Sequence, residues 1–80
     1  MATTHEDLVL DARGLLCPMP IVKTAKAMKE LEPGQVLKVM ATDRGALTDV
    51  PAWAETTGNE LLESHEEDGF LVFHLRKRDD

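Results

Sequence analysis

Cysteine is almost missing from this 80-residue chain: Cys17 stands alone. One thiol closes no internal disulfide, which agrees with a reducing compartment. It also leaves no resolving partner, and this excludes a thioredoxin-like dithiol cycle. Aromatic residues are scarce, with one Trp, two Phe and no Tyr, too few for a platform on which bases stack. Positive charge is in deficit: nine Lys and Arg against fifteen Asp and Glu give a net charge of −6. Nonspecific nucleic-acid binding depends on Lys and Arg neutralising phosphates, so no direct RNA or DNA binding is expected. Long apolar runs are lacking as well. The longest stretch free of charge, Gly14 to Val22, is too short to span a bilayer and holds two prolines. His5, Glu6, Asp7 and Asp11 break up any signal-peptide core near the start. The expectation is a soluble, cytoplasmic protein with no membrane contact.

What is present suffices for one small domain, taken as residues 1–80. A chain of this size buries only about 60% of the surface its unfolded form exposes, so a shallow site or docking surface suits it better than an enclosed one. Leu8-Val9-Leu10 reads as a first strand that ends at Asp11 and the turn residue Gly14. Ile21, Ala25 and Met28 then recur at helical spacing, with Val22 and Leu31 widening the stripe and Glu32-Pro33-Gly34 closing it. Gln35 to Thr42 reads as a second strand. A second helix carries Leu47, Val50, Trp53 and Ala54, and ends at Gly58. Asp43 or Thr48 caps its start, and Pro51 is tolerable only in its first turn or at a kink.

The last segment reads as a hairpin. Leu61-Leu62 lies in one strand, Asp68-Gly69 makes the tight turn, and Phe70 to Lys77 forms the other strand. Leu71, Phe73 and Leu75 point to one face, while Phe70, Val72, His74 and Arg76 point to the other. The order βαβαββ predicts an α/β two-layer sandwich: a mixed four-stranded sheet with both helices packed on one face.

Cys17 falls where the first strand hands over to the first helix. Pro18 suits the first helical position and Pro20 lies within the turn whose N–H groups have no intrahelical partner. The two rings stiffen the entry and hold the cysteine in one orientation. They also remove two amide donors and leave Met19 N–H as the chief one. With the helix dipole behind it, the Cys17 thiol is expected to have a moderately lowered pKa. Such a thiolate attacks an activated sulfur and carries it as a persulfide. The plainer reading of a free cysteine is a small buried hydrophobe.

Asp11-x-x-Gly14-x-x-Cys17-Pro18-x-Pro20 resembles the signature of the TusA/SirA-like sulfur carriers. Pro33-Gly34 before a strand, and Asp43, Asp49 and Pro51 around the second helix, extend the likeness from about Leu8 to Lys77. The resemblance implies that Cys17 accepts sulfane sulfur from a cysteine desulfurase or rhodanese-like donor. It further implies a downstream acceptor, DsrE-like or other, in some members on the route to 2-thiouridine in tRNA. Sulfur oxidation and cofactor assembly are alternative destinations. Leu16 stands where the well-known tRNA-thiolation member carries arginine, and Met19 where it carries an acidic residue. A different class remains beside these: a non-catalytic interaction module in which Cys17 is structural.

No cofactor is implied. His5, His65 and His74 share no metal spacing with Cys17; His65 and His74 lie diagonally across the hairpin in surface or strand-filling roles. Glu66-Glu67-Asp68 reads as a solvated turn. Asp43 and Asp49 read first as helix-capping or first-turn carboxylates. In the functional alternative the Asp43-Arg44-Gly45 loop borders the cysteine, and Arg13, Lys23 and Arg44 supply positive charge near its thiolate. Trp53 continues the apolar stripe into the core.

Overall fold

Two parallel strands, each followed by a helix, set the frame. The computed structural model describes residues 6–79; His5 and the outermost positions of the expected domain lie outside the described residues. Strands and helices run β1 (Leu8–Ala12), α1 (Met19–Met28), β2 (Val36–Ala41), α2 (Ala46–Thr57), β3 (Glu60–Glu67) and β4 (Phe70–Arg76). The sheet order is β1-β2-β4-β3. β1 runs parallel to β2, while β4 is antiparallel to both β2 and β3. The second strand–helix–strand unit is therefore split, with β4 inserted between β2 and β3. The expected mixed four-stranded α/β sandwich is what forms.

Register places Leu37, Val39 and Ala41 opposite Leu75, Phe73 and Leu71. These six share one buried cluster with Met28 at the end of α1, Leu31 beyond it, and Ala46, Val50 and Ala54 of α2. Both helices thus cover the same face, and Trp53 packs half-buried at the cluster's margin. Full burial of a Leu or Phe side chain stabilises by about 1.5–3 kcal/mol, so Phe73, Leu37 and Leu75 supply much of the driving force. Among the described residues no helix is long and apolar enough to cross a membrane.

Several local expectations are corrected. The buried face of α1 is Pro20, Thr24 and Met28, while Val22 stays exposed. Thr24 tolerates full burial because its hydroxyl donates to the Pro20 carbonyl at 2.7 Å. α1 ends at Met28, before Glu32-Pro33-Gly34, through tightened turns in which Lys29, Glu30 and Leu31 each donate three residues back. Gly45, not Asp43 or Thr48, occupies the N-cap of α2. Pro51 falls in that helix's second turn and leaves the Leu47 carbonyl without its usual donor. Gly58 closes α2 in the left-handed conformation, φ 80°, as its position suggested.

β3 is longer than Leu61-Leu62 indicated. It continues through Glu67 and carries a register shift between Leu61 and Glu63. Glu66 and Glu67 pair with Leu71 and Phe70, leaving Asp68-Gly69 as the turn, both at positive φ. A charged edge strand of this kind discourages pairing with another chain. On the face away from the helices His74 is buried nonetheless, with its Nε2 3.3 Å from Glu6 Oε1. His65 sits two pairs along, between Glu63 and Glu67.

Candidate functional site

Because β1 and β2 are parallel neighbours, the loops after them leave the same edge of the sheet side by side. Two hydrogen bonds stitch those loops together. Gly14 N–H donates to Thr42 Oγ1 at 2.8 Å, and Cys17 N–H donates to Asp43 Oδ2 at 2.7 Å. Gly14 takes φ 85° with open space where a Cβ would stand, so the backbone conformation is what requires glycine there. Asp43 also accepts from Gly45 N–H through Oδ1 at 3.1 Å, which folds its own loop tightly.

Cys17 is exposed at this junction. Its thiol donates to Asp49 Oδ2 at 2.7 Å. A Cβ added to Gly45 would lie 3.3 Å from Cys17 Sγ, so the glycine leaves room for the sulfur at the start of α2. Asp49 belongs to the first turn of that helix. Both aspartates therefore meet the cysteine, Asp49 from the first-turn position expected of it and Asp43 from the loop that borders the cysteine in the functional alternative.

The expected lowering of the Cys17 pKa is overturned. The thiol is pushed up to about 12, above all by its hydrogen bond to Asp49, then by partial desolvation and by Asp43. The helix amides do not reach it. Pro18 is the N-cap of α1 rather than its first residue, and Pro20 occupies the first turn, so Cys17 lies outside the helix. Met19 N–H, expected to face the sulfur, donates instead to the Leu16 carbonyl at 2.9 Å. Two carboxylates thus surround a thiol that no nearby amide of α1 stabilises as an anion. The Cys17-Pro18 peptide is cis. Asp43 is itself held below the ordinary carboxylate range, first by the Cys17 N–H.

Nor do the expected cations gather at the sulfur. Arg13 grips Asp11 through two bonds of 2.8 and 2.9 Å, with its guanidinium 4.9 Å from the Phe70 ring centroid. That grip lowers Asp11 to about 2. Arg44 turns to Glu66 at 3.3 Å. Lys23 is exposed on α1 and has no hydrogen bond or ion pair to the thiol or its two carboxylates among the described residues. Asp11 and Gly14 shape the loop rather than touch the sulfur.

Sequence reasoning missed Thr42 as a loop clamp and Gly45 as the floor beneath Sγ. The available signal was the parallel pairing itself: adjacent parallel strands bring their trailing loops together. The segments that carry the site also expose apolar side chains. Leu16 is 74% exposed, Met19 42%, and Leu47 43%.

Comparison with known proteins agrees along almost the whole chain. The profile of the family described as Sulfurtransferase TusA matches residues 8–77. A putative sulfur carrier protein, YrkI, of Bacillus subtilis is 56% identical over 71 residues, covering 89% of this chain and 95% of that one. The sulfur carrier protein TusA of Allochromatium vinosum is 49% identical over 71 residues, covering 89% and 93%. Among solved structures, a SirA-like protein from Desulfitobacterium hafniense superposes with a TM-score of 0.79 at 28% identity, over 90% of this chain and 99% of its own.

Proposed function

The chain belongs to the TusA sulfurtransferase family of sulfur carriers, and from that premise we propose that Cys17 is the residue on which the sulfur rides, as a transient persulfide. The observation that carries this reading is the exposure of the chain's single thiol on a loop fixed by two prolines and two inter-loop hydrogen bonds. A purely structural cysteine would be expected inside the core, and Cys17 is outside it.

Uptake transfers one sulfur atom and needs no oxidant. A donor persulfide, R–S–SH, reacts with the Cys17 thiol to give R–SH and Cys17–S–SH. A bond forms between Sγ and the donor's terminal sulfur while the donor's S–S bond breaks. The electron pair leaves on the donor's inner sulfur, which takes the proton that Cys17 gives up. Release is the same exchange with an acceptor's thiol as the receiving group.

A cysteine desulfurase or rhodanese-like protein is the proposed donor, and a DsrE-like or other thiol protein the acceptor, in the cytoplasm. The exposed Leu16 and Met19, neighbours of Cys17 in sequence, and Leu47 at the start of α2 offer apolar surface suited to a protein partner. The acidic balance of the chain favours handing sulfur to a protein over meeting tRNA directly. The 2-thiouridine route is one destination. Sulfur oxidation and cofactor assembly are the alternatives, and Leu16 and Met19, which stand where the tRNA-thiolation member carries charged residues, keep them open.

Incubation with a cysteine desulfurase and free cysteine is expected to add about 32 Da to the wild-type chain and nothing to Cys17→Ala, read by intact-mass spectrometry. No mass gain from either a desulfurase or a rhodanese-type donor would overturn the reading.

A further inference from the structure

A carrier faces a discrimination problem: its empty and loaded forms differ by one sulfur atom, yet only the loaded form should react with an acceptor. The surroundings of Cys17 hold a means of telling them apart. The empty thiol has one proton to donate, and Asp49 Oδ2 accepts it at 2.7 Å. Asp43 stands on the same side, fixed by the Cys17 and Gly45 amides. Of the cations from neighbouring elements, Arg13 is held by Asp11 and Arg44 by Glu66, while Lys23 forms no bond to the thiol or its carboxylates.

We infer that Asp49 is a positioning residue that puts empty and loaded Cys17 in opposite states, holding the thiol inward as a hydrogen-bond donor and turning the persulfide outward. The inference rests on the persulfide reading of Cys17. A perthiol is a stronger acid than the parent thiol, because its charge rests on a sulfur bonded to another sulfur. At neutral pH the loaded group is therefore an anion with no proton to offer Asp49. Its terminal sulfur stands about 2 Å beyond Sγ. Gly45 lies against Sγ on one side, and two carboxylates repel the new charge on another. The open direction is solvent, to which Cys17 is exposed.

The empty form is quiet for the same reason. Its pKa of about 12 leaves almost no thiolate at neutral pH, so an unloaded carrier is protected from alkylation and oxidation. Asp49→Asn keeps the shape and removes the charge.

The test measures the rate of iodoacetamide alkylation on empty and loaded protein, the latter prepared with glutathione persulfide and checked by mass. For the empty wild type, the rate should climb about tenfold per pH unit from pH 7 to 10 without levelling. Asp49→Asn should accelerate the empty form about tenfold or more at pH 7.5, while Asp49→Glu, which retains the charge, stays slow. Alkylation of the loaded form should change far less, so the loaded-to-empty ratio collapses in Asp49→Asn. A wild-type plateau at pH 8 to 9 would overturn the inference without recourse to any variant. So would an Asp49→Asn protein whose empty thiol reacts at the wild-type rate. Failure to gain sulfur at all strikes the persulfide reading instead, and the empty-thiol measurements remain decisive for Asp49.

Discussion

The two ends of the helical layer are built on opposite plans. At one end, Cys17 stands exposed beside carboxylates, and Leu16, Met19 and Leu47 of the adjoining segments are exposed as well. At the other, a groove of about 350 Å³ opens between the far ends of α1 and α2. Met28 and Trp53 form its apolar wall, and Lys29, Lys77 and Arg78 contribute cations. Concavity and positive charge are thus found together at the end of the layer away from the thiol. A small-molecule enzyme would place its reactive group within the concave feature. Here the sulfur faces outward, as transfer between proteins demands. The groove end is bound up with packing: Lys77 Nζ donates to the Leu31 carbonyl at 2.6 Å, and Arg78 reaches the Thr57 carbonyl at 3.0 Å.

If this division holds, substitutions at the groove end should cost stability and spare sulfur loading. Trp53→Ala has the largest expected effect, about 2 kcal/mol from a half-buried aromatic at the core margin. Urea unfolding measures it, and the gain of one sulfur by mass should be unchanged; lost loading at full stability would break the comparison. Lys77→Met keeps the apolar stem and removes the bond to Leu31, for an expected loss of about 1 kcal/mol. The thiol should alkylate at the wild-type rate in that variant.

The smallest effect belongs to the cysteine end and appears only in alkali. Below pH 9.0, the ordinary value, folded and unfolded chains both keep the Cys17 proton and the contribution is fully present. As pH rises toward about 12, the unfolded chain releases that proton first, so the contribution is progressively lost. Cys17→Ser should therefore show a shallower decline in melting temperature between pH 9 and 10.5 than wild type. Parallel declines would show that the thiol is not held protonated by the fold.

The hydrophobic pattern made the helix-covered face of the sheet readable, since Leu37 and Val39, Phe73 and Leu75 recur at period two; the burial of Val72 and His74 on the other face was not written in it. Turn chemistry did the same for Asp68-Gly69 and Gly58. Thr24 was beyond such a reading, because its burial depends on a hydroxyl finding the Pro20 carbonyl. The site divided in the same way. Local spacing marks Cys17, Pro18 and Pro20, but the ionisation of the sulfur is decided by residues 26 and 32 positions away in sequence. A helix-dipole argument uses only local geometry, and so it gave the wrong sign. The parallel pairing of β1 and β2 brings the Asp43-Arg44-Gly45 loop to the cysteine, as the functional alternative has it, and Asp49 follows from the first turn of α2.

The insertion of β4 between β2 and β3 bears on how the molecule comes into being. Asp43, Gly45 and Asp49, which meet Cys17, are all made by position 49, yet the sheet lacks an inner strand until position 76 has been made. A chain that stops between those points carries the paired loops around Cys17 on a half-built scaffold, with Leu37 and Val39 uncovered where Leu75 and Phe73 belong. A chain truncated before β4 should be recognised by chaperones and proteases as unfinished, whatever the state of its cysteine.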